Sequence, residues 1–191
     1  YMETLSKIDT VVFDKTGTLT NGSFTVTGVY PVEGVGEEAL VETAALAEIY
    51  SDHPVAAALR GACRQKTEKS RVGGAENFAG EGIMAYVDGK PVYAGNDRLM
   101  ARAGVSFVAP AVVGTVVHVA SEGKYLGYVV VSDTVKPQTA EALSGLRRAG
   151  VEQTVMLTGD RSDVAESVAR ELGIDEVHAG LLPDGKVQLM E

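Results

Sequence analysis

Cysteine is nearly absent, with Cys63 standing alone among 191 residues. A single thiol excludes an internal disulfide and a thiolate metal cluster, and in ALRGACRQ it reads as a small thiol on a helix rather than a reactive one. Basic residues are also scarce: 17 lysines and arginines face 26 acids, for a net charge of −9. That balance argues against a nucleic-acid partner or an anionic membrane surface. No repeat and no low-complexity tract is present, and proline is sparse, 6 residues against 22 glycines, which predicts many tight turns. Long apolar runs are lacking with one exception. AGVSFVAPAVVGTVVHVAS (103–121) extends for roughly 19 residues without a formal charge, near the length of a membrane span. It contains Pro110, Gly114 and His118, its valines favour strands, and it leads through SEGKY into a second β-rich run, YLGYVVVSD. It reads as one arm of a hairpin.

What is there is a core-forming chain, 45% apolar, whose pattern changes twice. KIDTVVFD (7–14) predicts a strand. GEEALVETAALAEIYS and VAAALRGACRQ predict two helices separated by SDHP. A glycine-rich β region follows, with a hairpin turn at Asp88-Gly89, and Asn96 is placed to cap a short helix that Gly104 ends. After Asp133 the order becomes helix from Pro137, strand QTVML, helix DVAESVAREL closed by Gly173, and strand EVHA. Alternation of this kind predicts a parallel, doubly wound sheet. The expected fold class is α/β, a Rossmann-like domain over 1–21 and 132–191, interrupted by an α+β domain with an antiparallel sheet over 22–131. YMETLSKI and LLPDGKVQLME both read as cuts through a longer protein.

Three motifs fall at carboxyl ends of the α/β strands: Asp14 with Thr16, Thr158-Gly159-Asp160, and Lys186. In a parallel sheet those edges converge, and ligands bind there. A carboxylate, hydroxyl and amide donors and a lysine suit phosphoryl transfer, with Asp14 as nucleophile, Thr158 and Lys186 on phosphate oxygens, and Mg²⁺ offsetting charge.

DKTGTLT (14–20), TGD (158–160) and the Pro-x-x-Lys of PDGK (183–186) resemble the phosphorylation-domain motifs of P-type ATPases, cation pumps built on the haloacid-dehalogenase fold. The resemblance implies that Asp14 takes the γ-phosphate of ATP, with Lys15, Thr16, Thr158 and Lys186 in the catalytic group and Gly159 and Asp160 orienting nucleotide or Mg²⁺. The Asp14 carboxylate and the Thr16 carbonyl are the Mg²⁺ ligands it implies here. Soluble phosphatases of that fold carry a second aspartate where this chain has Thr16, so an aspartyl phosphate should persist.

SDHP (51–54), GEG (80–82) and GN (95–96) resemble the nucleotide-domain motifs of the heavy-metal (P1B) pumps, with Asp52 where the family has glutamate. That implies Glu48 and His53 on the adenine, close approach at Gly80 and Gly82, and Gly95 and Asn96 lining the same pocket. The implied partners are ATP, the transmembrane and actuator domains of the same polypeptide, and a heavy-metal ion bound elsewhere. The implied location is the cytoplasmic side of an integral membrane protein. MLTGD and LLPxxKV resemble zinc/cadmium pumps slightly more than copper pumps, which implies zinc, cadmium or lead as the transported ion. Asp133 is expected beside Asn21-Gly22, where the chain returns from the inserted domain. His118 and His178 read as strand residues without ligand roles. Two rivals stay open: a soluble phosphatase or phosphotransferase of the same fold, and a non-catalytic nucleotide-sensing module.

Overall fold

The structure is a computed structural model and describes residues 8–181. In chain order its elements are β1 (Thr10–Asp14), an irregular turn (Lys15–Leu19), β2 (Thr20–Pro31), α1 (Glu37–Ala47), α2 (Pro54–Ala62), a 3₁₀ turn (Lys69–Arg71), β3 (Val72–Phe78), β4 (Gly82–Val87), β5 (Lys90–Gly95), α3 (Asp97–Arg102), β6 (Thr115–Ser121), β7 (Lys124–Val135), α4 (Thr139–Arg148), β8 (Gln153–Leu157), α5 (Ser162–Leu172) and β9 (Glu176–His178). The chain divides into two compact units, one of residues 1–23 and 133–191, the other of residues 24–132.

The discontinuous unit is built on the parallel sheet β1-β8-β9. The register sets Asp14 beside Leu157, and Leu157 beside His178. Strand β8 runs inside the unit, with Thr154, Val155, Met156 and Leu157 all buried. Leu143 of α4 and Ala165, Ala169 and Leu172 of α5 pack with Leu19, Met156 and Ile174 to form its core. Each fully buried side chain of this size contributes about 2 kcal/mol. Helix α5 stops where Gly173 turns left-handed at φ 66°. Asp175 then ties the following loop to β8, accepting from the Thr154 amide at 2.8 Å and its hydroxyl at 2.6 Å.

The continuous unit carries a six-stranded sheet in the order β2-β7-β6-β5-β4-β3, its pairs from β3 to β7 antiparallel. Strand alternation gives it two apolar faces. Leu40, Ala44, Leu46 and Leu59 of α1 and α2 cover the first, against Ala85, Val92, Val119 and Val129. Leu99 and Met100 of α3 pack with Val105 and Ala120, a separate cluster on the other parity of β6. Asp88 and Gly89, at φ 49° and 78°, form the hairpin turn that their dipeptide predicts.

Element boundaries differ from expectation in several places. The apolar stretch 103–121 is a strand only from Thr115; residues 105–112, around Pro110, have no regular structure. The helix expected from Pro137 begins at Thr139, and Cys63 is the half-buried C-cap of α2 rather than a helix-interior thiol. Strand β2 was not anticipated at all. Among the described residues no helix is long and apolar enough to cross a membrane.

Candidate functional site

In the discontinuous unit the parallel pairing of β1 with β8 brings Asp14 level with Leu157, so Thr158 follows at the same sheet edge. Asp14 is exposed there, and the chain turns away through Thr16 and through Gly17 at φ 78°. Thr158 is buried; its Oγ1 accepts from the Asp160 amide at 3.1 Å. Accepting that N–H leaves the Thr158 O–H to act as a donor.

Lys15 is only 4% exposed, and its ammonium lies 2.5 Å from Asp160 and 4.0 Å from Asp133. Its partners are thus carboxylates of the protein. Asp133 in turn accepts from the Thr20 hydroxyl at 2.5 Å and the Gly22 amide at 3.0 Å, while Asn21 donates to Thr134 at 3.0 Å. The segment leaving this unit is therefore pinned to the segment returning to it, as expected for Asp133. Lys136 donates to the Gly17 carbonyl and holds the turn after Asp14. Lys186 and its PDGK motif lie outside the described residues.

Among the described residues no cluster of three or more His, Cys, Asp or Glu side chains is present that could hold a metal ion. The Asp14 carboxylate and Thr16 carbonyl nevertheless suit Mg²⁺, which keeps several waters and takes one or two protein carboxylates alongside substrate phosphates.

The continuous unit contains a cleft of about 760 Å³, within the range of small-ligand sites. Glu48, His53, Gly80, Gly82, Gly95 and Asn96 all line it. His53 is the N-cap of α2, with Pro54 at the first helical position. Its Nδ1 accepts the Val55 amide at 3.2 Å, which leaves the neutral ring its proton on Nε2, as a donor. Asn96 caps α3 by accepting from the Arg98 and Leu99 amides, and its own amide donates to the Gly80 carbonyl at 2.8 Å. One side chain thus starts a helix and holds the glycine loop.

Gly82 and Gly95 face each other across the β4–β5 pair. A Cβ on Gly82 would come within 2.4 Å of the Ala94 carbonyl, and one on Gly95 within 2.2 Å of the Glu81 carbonyl. Their smallness serves the packing of backbone against backbone, whereas a Cβ on Gly80 would meet nothing within 4 Å.

Burial pushes the Glu48 carboxyl above its ordinary value, against the opposing pull of the Ser51 hydroxyl, His53 and Arg60. Arg60 also donates to the carbonyls of Glu48 and Ser51 at 2.8 and 2.9 Å. Sequence reasoning passed over Arg60, and over Asn77 and Phe78 on the cleft wall. Arg60 lies seven positions after His53, two helical turns along α2, and that spacing was the available signal.

A family profile described as haloacid dehalogenase-like hydrolase matches residues 8–191. A zinc-transporting ATPase of Synechocystis sp. is 46% identical over 191 residues, covering all of this chain and 26% of that protein. A cadmium, zinc and cobalt-transporting ATPase of Bacillus subtilis is 42% identical, again over the whole chain and 27% of its own length. The crystal structure of a zinc-transporting PIB-type ATPase in its E2.Pi state superposes with a TM-score of 0.82 at 33% identity, covering 98% of this chain and 32% of that one. The chain therefore spans about a quarter of the length of these curated relatives. With a parallel sheet that ends in Asp14 and Thr158, and a profile match along almost its entire length, the chain belongs to the haloacid dehalogenase-like hydrolase family.

Proposed function

We propose that this chain is the nucleotide-binding and phosphorylation region of a heavy-metal P-type ATPase, with ATP bound in the cleft of residues 22–131 and Asp14 as phosphoryl acceptor. The observation that carries the reading is the convergence of Glu48, His53, Gly80, Gly82, Gly95 and Asn96 on one cleft, although they come from three separate stretches of chain. A division of the chain at Ser23 and Ser132 supports residues 1–21 with 132–191 as the phosphorylation domain.

In the reaction, a carboxylate oxygen of Asp14 attacks the γ-phosphorus of ATP. The bond from that phosphorus to the β–γ bridging oxygen breaks, ADP leaves with the electron pair, and an aspartyl phosphate remains. The Thr158 hydroxyl and Lys186 stabilise charge on the transferring group. Lys15 works at one remove, holding Asp160 and Asp133 in place. The Asp14 carboxylate and the Thr16 carbonyl would hold Mg²⁺, which would supply charge neutralisation on the phosphate oxygens. Thr16 offers no general base for hydrolysis, so the acyl phosphate lasts long enough to drive a coupled step. The cargo is zinc, cadmium or lead in preference to copper. The names of the zinc and cadmium relatives support that, and the remaining domains of the pump, with its membrane span, lie elsewhere in the polypeptide.

An ATP titration followed by backbone amide shifts tests the reading, on this chain and on His53→Ala. Saturable shifts at Glu48, His53, Gly80 and Gly82, weakened in the variant, are expected. Shifts confined to the surroundings of Asp14 would overturn the nucleotide site and favour a phosphatase of the same fold.

A further inference from the structure

We infer that Arg60 is a positioning residue for this nucleotide cleft: its guanidinium clamps the loop after α1 and so sets the placement of Glu48 beside Ser51 and His53. The inference rests on the reading of the cleft as a nucleotide site and adds a residue to it. Nη1 of Arg60 carries two hydrogens, and both are used, one on the Glu48 carbonyl at 2.8 Å and one on the Ser51 carbonyl at 2.9 Å.

Those two carbonyls bracket the turn that delivers the cleft residues. Glu48 is the C-cap of α1, and the Ser51 amide donates back to its carbonyl at 3.0 Å. His53 begins α2 only two residues later. The end of α1, the turn and the start of α2 are therefore held by one side chain rooted in the body of α2. A cation at the carboxyl end of a helix is also favoured by the helix dipole. Without the clamp, the turn would keep its own short hydrogen bonds but lose its fixed distance from α2.

The same guanidinium acts on the Glu48 side chain. Burial raises the Glu48 carboxyl, while the Ser51 hydroxyl, His53 and Arg60 counter it. The other ionisable groups lining the cleft are Tyr50 and Asp52 of the same loop and Glu81 opposite, which is paired with Arg102 at 2.7 Å. Arg60 is a permanently charged cation whose direct pull on Glu48 is smaller than those of the Ser51 hydroxyl and His53, so the clamp acts on the charge of Glu48 chiefly by holding it beside those two groups.

The test is ATP affinity of this chain as a function of pH, alongside the Glu48 side-chain ¹³C titration, for the wild type, Arg60→Met and Arg60→Lys. In Arg60→Met, ATP should bind about tenfold more weakly at neutral pH. The midpoint of the Glu48 titration should also rise, and the pH at which ATP affinity changes should rise with it. Arg60→Lys keeps the charge and a donor, so it should return the midpoint towards the wild-type value and recover part of the affinity. Affinity lost equally at every pH with an unmoved Glu48 midpoint would reduce Arg60 to a structural tie and overturn the inference, as would unchanged affinity. If Arg60→Met fails to fold, an Arg60→Lys variant with wild-type ATP affinity and an altered Glu48 midpoint would overturn it too. A wild-type chain that binds no ATP would instead bring down the nucleotide reading itself.

Discussion

At the scale of single residues, the buried polar side chains among the described residues each have a hydrogen-bond partner. His118 is fully buried, yet its Nδ1 meets the Tyr125 hydroxyl at 2.7 Å and its Nε2 meets Asp97 at 3.1 Å. The neutral ring satisfies both, taking the Tyr125 proton and giving its own to Asp97. Burial holds the imidazole below its ordinary value of 6.5, partly offset by Asp97, and pushes the Tyr125 phenol up to about 12. A lowered histidine binds protons more readily in the unfolded chain than in the folded one. Its contribution is therefore complete above pH 6.5 and is lost as the pH falls from there through the folded value. Urea titrations should show stability dropping over that acid range in the wild type and a flatter profile in His118→Leu. His118 was read from sequence as a strand residue, and it lies in β6. Lys15 is buried as well, with its ammonium against Asp160 and Asp133. Lys15→Met should destabilise the discontinuous unit by about 2 kcal/mol, because it removes the cation paired with Asp160 and leaves the buried Asp133 only its Thr20 and Gly22 donors; a midpoint unchanged in urea would contradict that.

At the scale of elements, the glycines divide by what surrounds them. Gly82 sits at φ 137° with the β5 backbone pressed against it, so Gly82→Ala should cost about 3 kcal/mol and distort the cleft. Gly80, at φ 72°, has open space around it, and Gly80→Ala should cost only about 1 kcal/mol, the ordinary penalty for a left-handed residue with a Cβ. Thermal unfolding of the two variants distinguishes packing from conformation. Asn96→Ala removes a helix cap and the bond to the Gly80 carbonyl together, so it should lower stability by about 1 kcal/mol and loosen the glycine loop, seen as faster amide exchange at residues 80–82. Helices α1, α5 and the Asp88-Gly89 hairpin were legible because periodicity, a glycine stop and a two-residue turn are local signals. Strand β2 was not. TNGSFTVTGVYP has little apolar content, is exposed along most of its length, and takes its shape as the neighbour of β7, more than a hundred residues further along the chain.

At the scale of the whole molecule, the division into two units has a thermodynamic consequence. Residues 24–132 own their apolar clusters on both sheet faces, with Leu40, Leu46, Leu59, Leu99 and Met100 all essentially inaccessible. Excised as a continuous segment, they should fold alone and bind ATP with the affinity of the full chain; a segment lacking dispersed amide resonances would show that the units depend on each other. The discontinuous unit has the smaller described core and leaves Val12 of β1 40% exposed. The sequence by itself determined which polar residues stand at the strand ends and the α/β alternation around an inserted β-rich region, because strand ends, caps and turns are written in short runs of neighbours. Only the tertiary structure decided which distant groups meet. It set Lys15 on Asp160 and Asp133, closed Gly82 against Gly95, hid His118 between Asp97 and Tyr125, and brought Arg60 onto the loop of Glu48. Those pairings depend on how helices and strands pack, and packing is a property of surfaces assembled from many parts of the chain at once.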